Sequence, residues 1–141
     1  MACHRNPGGR LRSPVPKRFV PAILRSLDCA VVHLTASPVY RYGLSPNKLF
    51  EYMAAERPVV FACESAYDPV AGTGAGLSIR PDDPEEMAAA FIQLASATPE
   101  ARTGMGVAGR AYVFRHHNIE FLGEAFAAVI EGSVSPDQEL G

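Results

Sequence analysis

An α/β domain built on a parallel sheet is the fold class this sequence predicts. Three observations lead there. CAVVHL (29–34) and RPVVFA (57–62) are short, unbroken apolar runs, as expected of strands buried on both faces. Segments of helical periodicity alternate with them, which requires crossover connections and therefore parallel strands. Helix starts are marked by a capping residue followed by proline at 45–46, 83–84 and 98–99.

VPAILRSLD (20–28) places Val20, Ile23, Leu24 and Leu27 on one helical face, with Pro21 in the first turn. The strand at 29–34 follows, then a turn-rich loop, TASPVYRYGL. Ser45 as N-cap and Pro46 as first helical residue open a helix reaching about Ala55, and the second strand is 57–62. CESAYDPVAGTGAG (63–76) is loop, with one helical turn after Asp68, and LSI (77–79) is a third strand. Asp83 caps the next helix, Glu86 closes a capping box, and Met87, Ala90, Phe91 and Leu94 face inward. Thr98 and Pro99 begin a helix that reaches His116. A last amphipathic helix, 119–131, turns Leu122, Phe126 and Ile130 inward. Residues 1–14 read as an irregular or disordered lead-in, 15–131 as the folded unit, and 132–141 as a disordered tail. Three strands are few for such a sheet, so the unit is expected to be a partial Rossmann-like domain.

Composition narrows the function classes. The chain has 141 residues, 48% of them hydrophobic and 20% charged, with a net charge of −2, so no global field attracts nucleic acid. Three cysteines, Cys3, Cys29 and Cys63, form no CxxC pair, which leaves neither a zinc site nor a disulfide framework and suits a reducing, cytoplasmic setting. No apolar run approaches the ~20 residues of a membrane span. The basic N-terminus lacks the apolar stretch of a signal peptide.

Chemistry concentrates in YGLSPNKLFEYMAAERPVV (42–60). At about 100° per residue, Leu49, Phe50, Met53 and Ala54 form a core stripe, and Asn47, Lys48, Glu51 and Ala55 a polar arc. A helix N-terminus offers free backbone N–H groups and partial positive charge. Asn47 and Lys48 supply the first such donors after Pro46, a setting for phosphate. Glu51, one turn deeper, would accept hydrogen bonds from sugar hydroxyls, as an acidic residue does with a ribose. A capped surface helix with a Lys–Glu pair accounts for the same residues.

Other motifs read as structural. Ser45-x-x-Lys48 lacks the partner motifs of serine acyl-enzymes. Gly104, Gly106 and Gly109 spell GxGxxG inside a helix with no strand before it, so they fail the dinucleotide test. GTGAG (72–76) precedes a strand, and remains open as a loop close to a bound sugar. His116 and His117 suit a helix C-terminus. His33 ends a strand, on the side where open α/β sheets bind ligands. Tyr40 and Tyr42 either close the loop on the core or pack over a nucleotide.

LDCAVVHL, SPVYRYGLSPNKLFEYMAAERPVV, GAGLSIRPDDPEEMAAAF and GMGVAGRAYV, in this order, resemble the C-terminal donor-binding domain of a GT-B glycosyltransferase of the group 1, GT4-like family. The resemblance runs from about Val15 to Glu131 and is strongest with the branch that builds bacterial surface polysaccharides. It implies a retaining, metal-independent hexosyl-type transferase that needs no cofactor and moves a sugar from a nucleotide-diphosphate donor to an acceptor saccharide or lipid-linked saccharide. The family works in the cytoplasm, in full-length form also peripherally at the inner face of the membrane. Glu51 matches the second glutamate of the family's Glu-x7-Glu motif, which binds ribose. Asn47 and Lys48 match residues that hold diphosphate or sugar, with Ser45 as their cap. Tyr42, Gly43 and Leu44 fall in the donor loop, with Gly43 where the first glutamate stands. No residue is identified as catalytic.

The chain is accordingly expected to be a fragment that binds donor and is inactive alone, partnered by a separate N-terminal acceptor domain. A non-catalytic donor-binding or assembly remnant is the alternative. A sugar-nucleotide epimerase of GT-B architecture is a third reading, for which the sequence offers no clear acid/base set.

Overall fold

The computed structural model describes residues 13–44 and 46–132. Most of the expected lead-in, nearly all of the expected tail, Cys3 and Ser45 lie outside the described residues. After a 3-10 turn (Lys17–Phe19) come α1 (Val20–Arg25), β1 (Ala30–His33), a 3-10 helix (Pro38–Tyr42), α2 (Asn47–Ala54) and β2 (Val59–Ala62). The chain continues through α3 (Pro69–Thr73), β3 (Gly76–Ile79), α4 (Pro84–Ser96), α5 (Pro99–His116) and α6 (Ile119–Ile130).

The described strands form one parallel sheet in the order β1-β2-β3. The predicted α/β class is therefore the observed one, consistent with part of a Rossmann-like domain. Register aligns His33 with Ala62 and Ala62 with Ile79, so these three residues end the strands in one row. The loops beyond that row, 34–46, 63–68 and 80–83, make the carboxyl rim.

Alternation along the strands divides the core in two. On one face Val32, Val59 and Phe61 pack with Leu49 and Met53 of α2, Val70 of α3 and Ala75, bordered by Tyr112 and Val113 of α5. On the other, Val60 meets Ala90 and Leu94 of α4. β2 is buried along its whole length, as expected. β1 corrects the expectation of a strand covered on both sides. Ala30 and Val32 are buried, but Val31 and His33 are exposed, because α4 packs against β2 and β3 and leaves the same face of β1 uncovered.

Helix entrances follow the sequence closely. Asp68 Oδ1 accepts from the amides of Val70 and Ala71, Asp83 Oδ1 from Glu85 and Glu86, and Thr98 Oγ1 from Ala101. Glu86 departs from the capping box. Its carboxylate reaches past the cap to the Arg80 amide at 2.7 Å and to the Arg80 guanidinium at 2.7 Å. The inward faces differ more. Of the predicted α4 stripe, Ala90 and Leu94 are buried, Met87 is half-buried and Phe91 is exposed. Ile23 and Leu27 of the first helical segment are likewise exposed, with Leu24 alone buried. In α6, Leu122, Phe126 and Ile130 are 47%, 68% and 70% exposed, because the main packing of this helix among the described elements is against α5. Asn118, not expected as a cap, opens α6 by accepting from Phe121 at 2.6 Å while donating to Phe114 O of α5 at 2.5 Å.

All three GxGxxG glycines lie inside α5, and Gly106 and Gly109 are packing residues there. A Cβ at Gly106 would collide with the Glu56 carbonyl just beyond α2. One at Gly109 would lie 3.1 Å from Ala75 Cβ and 3.3 Å from Met53 Cβ. Gly104, on the same helix, faces open space. Gly106→Ala should therefore destabilise the fold by about 1–3 kcal/mol, whereas Gly104→Ala should stabilise it by about 0.5–1 kcal/mol through helix propensity. Urea unfolding of the two variants checks this; equal midpoints would refute the packing role.

Candidate functional site

The site is built around the start of α2. This helix follows β1, so its N-terminus stands at the carboxyl rim. Pro46 is its N-cap rather than its first residue, with φ −80° and ψ 105°, and the Leu49 amide donates to its carbonyl at 2.9 Å. The amides of Asn47 and Lys48 precede that first helical bond. Among the described residues no side chain caps this end, in contrast to α3, α4, α5 and α6.

Leu49 and Met53 are fully buried, and Phe50 and Ala54 half-buried, so the apolar stripe anchors the helix as predicted. Asn47, Lys48 and Glu51 are exposed. Ala55 departs from the polar arc. It is 6% exposed, because α2 ends at Ala54 and the chain turns beneath α5. Glu56 takes a positive φ of 58° there and pairs with Arg110.

Two cavities flank Glu51. One, of about 420 Å³, has Asn47, Phe50, Glu51, Val113, His117 and Leu122 in its wall. The other, of about 310 Å³, lies between α1, α2 and α5 and brings Lys17, Arg25 and Arg110 to the same carboxylate's surroundings. Asn47 and Glu51 thus share a wall, while Lys48 stands on the exposed surface outside both linings.

The preceding loop is held in places and open in others. Tyr40 and Leu44 pack against the core, and Ser65 Oγ donates to the Tyr40 carbonyl at 3.2 Å. Tyr42 is 77% exposed and accepts from Arg41 at 2.6 Å. Gly43 has φ 111° and ψ 163°, a region essentially restricted to glycine.

Three features of the surroundings were not legible in advance. His117 stacks on Phe50 with ring centroids 3.9 Å apart, so it forms part of the Asn47–Glu51 cavity wall as well as following the end of α5. Its Nε2 is buried with no hydrogen-bond partner among the described residues. Desolvation, and secondarily the neighbouring His116, hold its pKa below the usual imidazole value. His33 Nε2 lies 3.5 Å from Asp82 Oδ1. Arg80 pairs with Asp83 and Glu86, and the hydrogen bond from the Arg80 amide, followed by that from its side chain, lowers the Glu86 pKa. The first two juxtapose residues from distant elements, whereas the Arg80 cluster is local to the loop before α4 and the first turn of that helix. Only the placement of Phe50 at the edge of the apolar stripe offered a signal.

The remaining candidates resolve as structure. GTGAG ends α3 and enters β3 at the amino end of the strand, away from the carboxyl rim, so it is not a loop beside a sugar bound there. Burial raises the Cys29 and Cys63 pKa values, which suits packing thiols. Among the described residues no group of acidic, histidine or cysteine side chains is arranged to hold a metal ion, and no helix is long and apolar enough to cross a membrane.

A family model described as "Glycosyl transferases group 1" matches residues 6–97, more than half of the chain. The match takes in the sheet, α2 and the carboxyl rim, and stops short of α5 and α6. No curated protein and no solved structure matches.

With a depressed folded-state pKa at His117, the unfolded chain takes up that proton first as pH falls. The stabilisation from the neutral, stacked ring is therefore complete above the unfolded value of 6.5 and is lost as pH drops through the lower, folded one. Urea midpoints measured from pH 7.5 to 5 should fall, and His117→Phe should flatten that fall. An unchanged pH slope in the variant would refute the assignment.

Proposed function

Because the chain belongs to the group 1 glycosyl transferases, we propose that it supplies the donor half-site of such an enzyme, with the start of α2 as the nucleotide-sugar anchor. Family membership implies a nucleotide-sugar donor and an acceptor. The Asn47 and Lys48 amides and the Lys48 ammonium meet the diphosphate, where helix-end dipoles favour negative charge. Glu51 accepts from the ribose hydroxyls. Asn47 and Glu51 in the wall of one cavity, next to an N-terminus that no described side chain caps, carry the proposal. Stabilising the departing diphosphate with preorganised donors is the contribution these residues make to transfer.

Ser45 belongs to the same proposal as the residue before the tip, and Tyr42, Gly43 and Leu44 as its loop. Gly43, where the family's first glutamate stands, has no carboxylate to offer, so in this reading other groups hold the donor sugar; its positive φ makes exchange for a glutamate strained. The acceptor, a saccharide or lipid-linked saccharide, binds to a separate acceptor domain. The setting is bacterial surface polysaccharide synthesis in the cytoplasm, at the inner membrane face in the full-length enzyme. The 141 residues bind donor without turning it over.

A second reading, a donor-binding module completed by another polypeptide, is favoured by the uncovered Val31 on β1 and the exposed apolar residues of α6. The two readings share the donor site and differ in whether the acceptor half restores transfer.

Titration calorimetry with nucleoside diphosphates tests the site. Glu51→Gln should weaken binding about 10- to 100-fold, the loss expected for hydrogen bonds to a charged group, and Lys48→Ala should weaken it about tenfold. A folded wild-type chain that binds no nucleoside diphosphate, or a Glu51→Gln variant that binds normally, would overturn the assignment.

A further inference from the structure

We propose that Asp82 is a positioning residue for the donor loop, fixing from across the sheet the segment that delivers the α2 tip. The inference rests on the donor-site reading above and adds a residue that the reading does not contain.

Asp82 has φ 57°, in the left-handed region that few residues other than glycine adopt and that aspartate tolerates through its short polar side chain. Its carboxylate points back over the sheet. Oδ2 accepts from the Ala36 amide at 2.9 Å, and Oδ1 faces His33 Nε2 at 3.5 Å. Asp82 follows β3, whereas His33 ends β1 and Ala36 lies three residues beyond it. β2 lies between those two strands. One side chain therefore ties the two outer strands' loops together above the central strand.

The neighbouring aspartate accounts for the ordinary task at this place. Asp83 caps α4 through Glu85 and Glu86, so the helix start does not need Asp82. What Asp82 holds is the root of the 34–46 loop. Farther along, the bond from Ser65 Oγ to the Tyr40 carbonyl fixes its middle, and Leu44 seats its end against the core. With root, middle and end held, the loop delivers Asn47 and Lys48 to the rim in one orientation. Removing the root contact would leave α2 folded but loosen the approach to its tip.

The backbone at position 82 supplies a clean test. Asp82→Gly accommodates the positive φ without strain and removes the acceptor. Asp82→Asn tolerates the same backbone and keeps an oxygen that can accept from Ala36. In the full chain, Asp82→Gly should speed hydrogen exchange of the Ala36 amide about tenfold or more and weaken binding of UDP, GDP or ADP, used as probes, about tenfold. Its urea midpoint should stay at the wild-type value. Asp82→Asn should restore both exchange protection and binding to within about twofold. Wild-type Ala36 exchange in Asp82→Gly, or an Asp82→Asn variant as loose as the glycine one, overturns the proposal. If the wild-type chain binds none of the three nucleotides, the donor-site reading fails, and the exchange of Ala36 alone decides whether Asp82 holds the loop.

Discussion

The close approach of α5 to α2 is the constraint on which the other features depend. It is set by two glycines and by the carbonyl of Glu56 against which one of them rests. Helix axes come this near only where side chains are missing at the crossing. The contact, in which Gly109 faces Met53, fixes the direction of α2, and the full burial of Leu49 and Met53 fixes its rotation. Axis and rotation together determine that Asn47, Lys48 and Glu51 face outward, and that the first amides of the helix lie at the carboxyl ends of the strands. The nucleotide site proposed at this helix start needs no buried charge. It needs a helix that cannot turn about its own axis.

The rim then acts as one unit made from three loops. Asp82 reaches the loop after β1 from the loop after β3, and Ser65 reaches the same loop from behind β2. These contacts are individually weak and partly exposed. Together they restrict a long connection that would otherwise lose entropy on meeting a ligand, and preorganisation of this sort contributes to affinity without adding any contact to the ligand.

Legibility followed the physics of each element. β2 was readable because a strand covered on both faces leaves an unbroken apolar run. The entrances of α4 and α5 were readable because a cap and a proline act within a few residues of themselves. β1 has the same apolar signature, yet Val31 and His33 are exposed, since coverage depends on where α4 ends up rather than on the strand. The stripe of α6 shows that the helix is amphipathic and is silent about a partner. The polar arc of α2 was right for Asn47, Lys48 and Glu51 and wrong for Ala55, where the helix has ended and wheel geometry no longer applies. His33 with Asp82, and Phe50 with His117, are juxtapositions across distant segments, and local periodicity has no term for them.

The dihedral angles at Gly43 bear on what the loop before α2, the proposed donor loop, can accommodate. A residue with a Cβ would find room for its atoms there but no comfortable backbone. Installing a carboxylate at that point by one codon change would therefore shift the whole connection rather than merely add an oxygen ligand. A carboxylate at a position flanking Gly43 would leave that connection undisturbed, whereas one at position 43 itself would carry the cost of a positive φ.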